Sequence, residues 1–394
     1  MIFPEKPQVA HSPMMGTLGG GSLRSFGRGS AEESPVFGYV VGSNSNGQQG
    51  LMVFVPEDMS RVAYYSSAAG SGMQNVGIDD TKIWANHGYS SASFARWNKD
   101  APATNFTSYS RYISRSAIAV DSNYVYWCDN SGYVYRDNKT TGANVNNSYY
   151  TGGELYAIAL DPNYVFFGGG VNSGNIRTLQ RGQYFGTVGN TNLSNISALL
   201  CITSDNDYVY CTGAFPSPYN NRDNFYKIGK SSSVGSGLVS PVHYSSSSVG
   251  YTGTSTSICV DDAYVYTCGT NNRITKWSKY TGVEDTTSVL NYTSSVYGSV
   301  QVQNCMGMTH DKDHLYIAAN VQTPPFGGKR FVIKVQKSNM TPVADLQHQF
   351  ATDFDYYSGG RHVALDNQVG GPGFYYDSGI SNWNITDRAS QILL

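Results

Sequence analysis

Short apolar segments alternate along most of this chain with turns that begin at an aspartate. In residues 117–126 (AIAVDSNYVY), a small aliphatic run precedes Asp121, and an aromatic, β-branched run follows it. Runs of this length and composition, bounded by polar residues, predict β-strands that are buried on both faces. An Asp before polar residues or Pro is typical of a type I turn in which the carboxylate caps its own backbone. The stretch therefore predicts a β-hairpin.

The same pattern occurs seven times. Its turn aspartates are Asp79, Asp121, Asp161, Asp205, Asp261, Asp311 and Asp366. Subtracting successive positions gives steps of 42, 40, 44, 56, 50 and 55 residues. Periods of about 40 to 50 residues made of short strands are typical of β-propellers, with four strands in each blade. The apolar first strand of each unit is expected near the axis, and a polar fourth strand such as 144–150 at the rim.

The sequence thus predicts an all-β fold, a β-propeller of seven four-stranded blades. The second, third and fourth strands of an incomplete blade are predicted at residues 37–41, 51–55 and 62–65. Residues 363–365 would supply its first strand, so that N- and C-terminal strands close the ring in one blade. Two more strand-like segments, 374–376 and 383–385, keep a ring of eight blades as the alternative.

The first 35 residues lie outside the repeat. Prolines at positions 4, 7 and 13 are followed by closely spaced glycines, with apolar and arginine side chains between them. Such a composition does not pack by itself and predicts an extended arm that becomes ordered on a partner, with a floppy leader as the alternative. The candidate anchoring residues are Met14, Leu18, Leu23, Arg24, Phe26 and Arg28. We expect two parts, an arm over residues 1–35 and a propeller over residues 36–394.

Composition limits the partners of this chain. Only 14% of its 394 residues are charged and the net charge is −2, against about 25% charged residues in ordinary domains. Without basic runs we expect no nucleic acid, and without an apolar run of about 18 residues we expect no membrane span. The first residues show no signal-peptide pattern. A surface of Ser, Asn, Thr, Gly and Tyr, with 31 tyrosines, is typical of adhesins, fibre proteins and carbohydrate-facing surfaces.

The six cysteines are predicted to be free, buried thiols. They are Cys128, Cys201, Cys211, Cys259, Cys268 and Cys305. Disulfides Cys201–Cys211 and Cys259–Cys268 would each span a predicted hairpin, but the two pairs require different registers relative to the turn Asp. Free cysteines that act as small hydrophobic side chains are the better interpretation, and no CxxC spacing indicates zinc.

No catalytic, cofactor or metal site is predicted. His310 and His314 flank Asp311, but both occupy positions that apolar or aromatic residues take in other repeats. The turn aspartates lack the Gly and the distant Glu of a calcium loop, so capping explains them better. Beyond residue 60 the only glutamates are Glu154 and Glu284, which argues against a pair of glycosidase carboxylates.

Binding is expected on the longest loops, because loops on a rigid scaffold usually carry function. Residues 214–223, 231–251 and 322–330 are rich in Pro, Gly or Ser and contain aromatic and basic residues. The candidate binding residues are Phe215, Tyr219, Arg222, His243, Tyr244, Phe326, Lys329 and Arg330.

Two resemblances follow from these motifs. The phrase I-A-V-D-x-x-Y-V-Y resembles the blade repeats of quinoprotein-like and NHL-like propellers over residues 36–394. The leader PMMGTLGGGSLRSFGR, residues 13–28, resembles the start of tailed-bacteriophage appendage proteins, in which an N-terminal arm docks a distal module on the virion.

The second resemblance implies a non-enzymatic virion protein of the tail, a fibre or the neck. It would assemble in the host cytoplasm as a homo-oligomer in the particle. The arm would bind other virion proteins, and the propeller would display a surface for a host glycan or for other subunits. The alternatives are a propeller enzyme of lactonase or quinoprotein type, which the first resemblance suggests, and a free lectin.

Overall fold

The computed structural model describes residues 37–365 of the 394-residue chain, with gaps. The gaps are 44–48, 67–72, 80, 88–92, 100–105, 111–116, 122, 130, 143, 171–174, 182–186, 221, 232–237, 248–253, 271, 295–297, 322–328 and 351–362. The six candidate anchoring residues of the arm therefore lie outside the described residues.

All described secondary structure is β, in antiparallel four-stranded sheets that follow the chain. Blade 1 begins with β1 (Gly38–Ser43), β2 (Gln49–Phe54) and β3 (Arg61–Ser66). Blade 2 contains β4 (Met73–Ile78), β5 (Lys82–His87), β6 (Ser93–Asn98) and β7 (Phe106–Ser110). Blade 3 contains β8 (Ile118–Val120), β9 (Tyr124–Cys128), β10 (Tyr133–Asn138) and β11 (Asn144–Tyr150). Blade 4 contains β12 (Leu155–Leu160), β13 (Tyr164–Gly169), β14 (Ile176–Gln180) and β15 (Thr187–Thr191).

The second half of the chain continues the same order, with one insertion. Blade 5 contains β16 (Ala198–Ser204), β17 (Tyr208–Ala214), β18 (Asn224–Lys230) and β19 (Leu238–Ser245). Blade 6 contains β20 (Ser255–Val260), β21 (Tyr264–Gly269), β22 (Arg273–Ser278) and β23 (Glu284–Val289). A separate hairpin of β24 (Tyr292–Ser294) and β25 (Gly298–Val300) follows. Blade 7 contains β26 (Val302–His310), β27 (His314–Val321), β28 (Lys329–Gln336) and β29 (Thr341–Phe350), and β30 (Val363–Leu365) comes last.

The prediction of a propeller with seven four-stranded blades is confirmed. The last strand, β30, pairs antiparallel with β1, with Val363 opposite Val40 and Leu365 opposite Gly38. This strand completes blade 1, so residues 38–66 do not form an eighth blade. The strand-like segments 374–376 and 383–385 lie outside the described residues.

The core is distributed around the ring between neighbouring blades. Each of the seven buried apolar clusters in the described residues joins two adjacent blades. One of them closes the ring, because it joins Tyr316 and Leu346 of blade 7 to Met52 and Val363 of blade 1. The inner strands of the blades are apolar on both faces because each blade is covered by a neighbour on either side, whereas outer strands such as β23 are polar and largely exposed.

All six cysteines are buried and free, as predicted. The hairpin register places Thr212 opposite Cys201 and Tyr266 opposite Cys259. Neither disulfide considered from the sequence therefore joins directly opposed residues. Among the described residues, no helix is long and apolar enough to cross a membrane.

Candidate functional site

The turn aspartates cap their own turns, as predicted. Asp121 Oδ1 accepts hydrogen bonds from the backbone N–H groups of Asn123 (2.7 Å) and Tyr124 (2.6 Å). The same pair of bonds occurs at Asp79, Asp161, Asp205, Asp261 and Asp311. Asp366 lies outside the described residues. The repeated acid is thus a structural part of each described hairpin.

The second carboxylate oxygen reaches out of the turn to the next blade. Asp121 Oδ2 accepts a hydrogen bond from the Tyr126 hydroxyl (2.9 Å) and forms an ion pair with Arg181 Nη2 of blade 4 (2.6 Å). We call this pairing of a turn Asp with a basic residue of the following blade the interblade clamp. The other clamps are Lys139–Asp79 (3.3 Å), Lys230–Asp161 (2.9 Å), Lys279–Asp205 (2.8 Å) and Lys337–Asp261 (3.0 Å).

The clamps are largely shielded from solvent, with every Asp, Lys and Arg side chain of a clamp at most 20% exposed, and in three of them the basic residue also binds a backbone carbonyl. Arg181 Nη1 donates to the backbone carbonyl of Asp161, the turn Asp of its own blade, at 2.5 Å. Lys279 Nζ donates to the carbonyl of Asp261 in the same way, at 2.9 Å. Burial opposes ionisation of Asp205, but the hydrogen bond and charge of Lys279 outweigh it and lower the pKa of that carboxyl. Lys337 lowers the pKa of Asp261 in the same way, against the effect of burial.

The sequence reasoning missed the clamp. Its signal is a basic residue at or just beyond the end of the third strand in blades 3 to 7, 18 to 26 residues after the turn Asp of the same blade. The spacing follows from positions such as 121 and 139 at the short end, and 311 and 337 at the long end. The loops between the strands differ in length, so the spacing varies from blade to blade and the pattern is difficult to recognise in the sequence.

Among the described residues, no clamp joins blades 7 and 1. In the described part of the chain, the side chain near the Asp311 carboxylate is the His314 imidazole, with Nδ1 at 3.5 Å from Oδ1, rather than a Lys or Arg of blade 1, and burial lowers the pKa of that imidazole. Blade 1 presents a turn at this place, and the carbonyls of Pro56 and Glu57 accept from Lys334 Nζ at 2.8 and 2.7 Å. We call this interface the closing seam.

A cleft of about 510 Å³ lies at the closing seam. Its walls are the blade 1 turn at residues 58–61, the inserted hairpin at residues 292–294 and the outer strand of blade 7 at residues 342–346. The Tyr292 hydroxyl donates to Asp345 Oδ2 at 2.5 Å and so joins the hairpin to β29. The sequence reasoning did not identify this cleft or any of its residues.

Three of the predicted binding residues come together on blade 5. The His243 ring stacks on Phe215, with centroids 5.1 Å apart, and meets Tyr219 edge-on at 4.7 Å. Asn224 Oδ1 lies 3.1 Å from His243 Nε2, and burial lowers the pKa of that imidazole. Phe215 is buried beneath the other two rings, while Tyr219 and His243 are half-buried. We call these three residues the blade 5 cluster.

The remaining predicted binding residues are placed elsewhere. Arg222 Nη1 donates to the carbonyl of Ser246 (3.3 Å), beside the cluster. Tyr244 stacks on Phe225 (5.0 Å), toward blade 6. Lys329 and Arg330 begin β28, and Phe326 lies outside the described residues.

His310 lies in the interface between blades 6 and 7. Its Nδ1 is 3.1 Å from Lys337 Nζ, and its Nε2 is 3.0 Å from the carbonyl of Val260. Since an ammonium group only donates, Nδ1 accepts and Nε2 carries the proton that is donated to Val260. Burial and the charge of Lys337 lower the pKa of His310 to about 4. Within the described residues, no group of three or more His, Cys, Asp or Glu is arranged to hold a metal ion.

Comparisons with known proteins support the fold of this chain and do not indicate its function. No protein-family model matches the chain, and no curated protein matches it. Among solved structures, it is similar to the crystal structure of the computationally designed Ika8 protein, with a TM-score of 0.52 and 14% identity. That similarity covers 88% of this chain and 97% of the designed one. At this identity it supports the propeller architecture, an architecture that serves many unrelated functions.

Proposed function

We propose that this chain is a non-catalytic structural protein of a tailed-bacteriophage virion. Residues 1–35 anchor it to other virion proteins, and the propeller displays a surface that binds a host glycan or neighbouring subunits. It is assembled in the host cytoplasm and acts as a homo-oligomer in the particle, without nucleic-acid or membrane partners.

The interblade clamp carries this proposal. Five turn aspartates, the most regularly repeated acids in the chain, are engaged by Lys or Arg of the following blade. Perturbed carboxylates in a propeller would otherwise be the first candidates for catalysis, but structural ion-pair networks perturb pKa values as well. Carboxylates that hold blades together favour a rigid scaffold over an enzyme. The resemblance of residues 13–28 to appendage proteins favours a virion as the place of that scaffold.

The blade 5 cluster is a candidate for the displayed surface. Tyr219 is half-buried in the loop between β17 and β18, and His243 is half-buried on the outer strand β19, which also carries Val239 and Val242, 42% and 45% exposed. Aromatic and aliphatic side chains on a rigid support lose little conformational entropy on binding. Such a surface suits a sugar face or a neighbouring subunit.

Particle incorporation tests the anchoring role of the arm. Phage assembled with a chain that lacks residues 1–35 should contain none of it, whereas the full-length chain copurifies with virions. Replacing Leu18, Leu23 and Phe26 together by Ala should reduce incorporation, and replacing Ser22 and Ser25 by Ala is the matched control. Normal incorporation of the shortened chain would refute the anchoring role.

A free lectin is the second candidate, and the cleft at the closing seam favours it. A lectin of this kind would bind saccharide without being part of a particle. Copurification of the full-length chain with virions through a density gradient separates the two, because a free lectin stays at the top of the gradient. The resemblance to quinoprotein-like and NHL-like repeats concerns only the repeated motif I-A-V-D-x-x-Y-V-Y, which contains no catalytic residue, so it gives little support to an enzyme.

A further inference from the structure

We infer that the cleft at the closing seam is a binding site for neutral oligosaccharide. The inference rests on the proposed function, since it names the site and the ligand class for the glycan that the propeller would bind. The evidence for it is that the cleft is lined by an inserted hairpin and by the blade 1 turn, which are not part of the regular propeller repeat. In a repeat architecture the repeated interactions build the scaffold, and an added rigid element is available for binding.

The inserted hairpin is such an element. It is not part of any blade, and its two ends are fixed in the core by Leu290 and Val300, which are 0% and 1% exposed. Asn291 Oδ1 accepts from the N–H of Val302 at 3.0 Å, which joins the start of the hairpin to the first residue of blade 7. Both ends of the hairpin are therefore fixed, and residues 292–294, which line the cleft, directly follow one of these fixed ends.

The opposite wall is equally fixed. The N–H of Met59 donates to the carbonyl of Val55 (2.8 Å), and the N–H of Val55 donates to the carbonyl of Ser60 (2.9 Å). Asp58 Oδ1 accepts from the N–H of Ser60 at 2.9 Å. Lys334 binds the carbonyls of this turn from below, so the turn occupies the place that a clamp residue takes at other interfaces. A preformed cleft costs little ordering entropy when a ligand binds.

The side chains of the cleft match the hydroxyl groups of a sugar. Asp58 and Asp345 supply acceptors, Thr293 supplies a hydroxyl that can donate and accept, and Arg61 adds the charge of a guanidinium to the wall. Tyr292 engages Oδ2 of Asp345, which orients the carboxylate and leaves its second oxygen able to accept from a ligand. Hydrogen bonds to ionised groups are the stronger ones, and vicinal hydroxyls can donate to a carboxylate in pairs.

Charge and size narrow the ligand class. Two carboxylates and one guanidinium give the cleft a formal charge of −1, by subtraction of Arg61 from Asp58 and Asp345. An anionic ligand such as a sialylated or uronic sugar is therefore disfavoured. A cleft of about 510 Å³ falls within the size range of small-molecule sites and accommodates more than one sugar ring. Val343, half exposed on the same wall, offers an apolar contact to the C–H face of a ring.

Saccharide binding by the full-length chain tests this inference. The probe is a printed array of neutral tri- and tetrasaccharides beside sialylated and uronic ones, followed by NMR titration with the strongest neutral ligand. Tyr292→Phe and Asp345→Asn should each weaken binding about 10-fold, the equivalent of one lost hydrogen bond to a charged group. Tyr280→Phe, which removes a hydroxyl from an exposed turn in blade 6, is the matched control and should bind like the wild type.

The outcomes separate the cleft from the proposed function. Loss of binding in both cleft variants, with Tyr280→Phe unchanged and all urea midpoints alike, supports the inference. Loss of binding in Tyr219→Ala with the cleft variants unchanged overturns the cleft and leaves a glycan-binding propeller. The inference is overturned if no neutral saccharide binds, or if an acidic saccharide binds more tightly. The proposed function is tested separately, by whether the full-length chain is incorporated into virions.

Discussion

Substitutions in the clamp between Asp121 and Arg181 measure how much this ion pair contributes to the free energy of unfolding. Asp121→Asn keeps the oxygen that caps the turn at Asn123 and Tyr124 but removes the charge that faces Arg181 at 2.6 Å. The side chains of Arg181 and Asp121 are only 12% and 2% exposed. The variant therefore leaves a guanidinium buried without its counter-charge.

The expected loss of unfolding free energy is large. Breaking a buried ion pair by neutralising one partner costs about 3 to 5 kcal/mol, because the remaining charge stays desolvated. Urea unfolding should show a lower midpoint at an unchanged slope, since the surface exposed on unfolding stays the same. In the cycle with Arg181→Met, the double variant should be more stable than the sum of the two single losses, by about 1 to 3 kcal/mol.

Asp311→Asn at the closing seam is the matched control. Asp311 caps the N–H groups of Asp313 (2.8 Å) and His314 (2.6 Å) and accepts from the Tyr316 hydroxyl (2.7 Å), as Asp121 does in its own turn. What differs among the described contacts is the missing Lys or Arg partner. We expect a loss of about 1 to 2 kcal/mol, that of a weakened hydrogen bond to a charged group. Equal losses for the two Asn variants would refute a role of the clamp in joining blades.

Three further measurements test the described core. The unfolded chain protonates His310 near pH 6.5 and the folded chain only near pH 4, so acidification through this window should cost about 3 kcal/mol. His310→Gln should flatten urea midpoints between pH 7.5 and 4, and an unchanged profile would contradict the assignment. Burial raises the pKa of Cys128 to about 12 and of Cys201 to about 11, so a thiol reagent at pH 8 should label the protein only in urea; rapid labelling without urea would contradict their burial. Phe215→Ala removes a ring packed on His243 and Tyr226 and should cost about 3 kcal/mol, measured by urea unfolding with Tyr280→Phe as the unaffected control.

The hairpins and the blade count were predictable because their signals are local. A short apolar strand, the capping Asp and an aromatic strand all lie within about ten residues, as in residues 117–126. The place of β30 was predictable for a different reason, since residues 37–65 contain three strands of a four-stranded unit. Because the first strand of that unit was missing, the unpaired segment 363–365 could be assigned to it.

The clamp and the cleft could not be read from the sequence because they join distant residues. Asp121 and Arg181 are 60 positions apart and belong to different blades. The walls of the cleft come from residues 58–61, 292–294 and 342–346, which meet only when the ring is closed. The blade 5 cluster is an intermediate case. Phe215 and His243 were both candidates, but their contact depends on the register of β19 against β18.

The closing seam differs from the other described interfaces for a physical reason. Blade 1 is assembled from both ends of the propeller segment, and its third and fourth strands are joined by a turn at residues 55–60, without the Lys or Arg that stands there in the clamped blades. Backbone carbonyls of this turn satisfy Lys334, and a hydroxyl and backbone groups satisfy Asp311. The seam is thus held by hydrogen bonds from the Lys334 ammonium to backbone carbonyls and by the apolar cluster of Tyr316, Leu346 and Met52. Because no clamp is described at this interface, the cleft beside it forms without loss of an ion pair. The clamp is the interaction that this propeller repeats between its blades. A binding site at the interface without a clamp therefore destabilises the ring least, because no ion pair has to be given up for it.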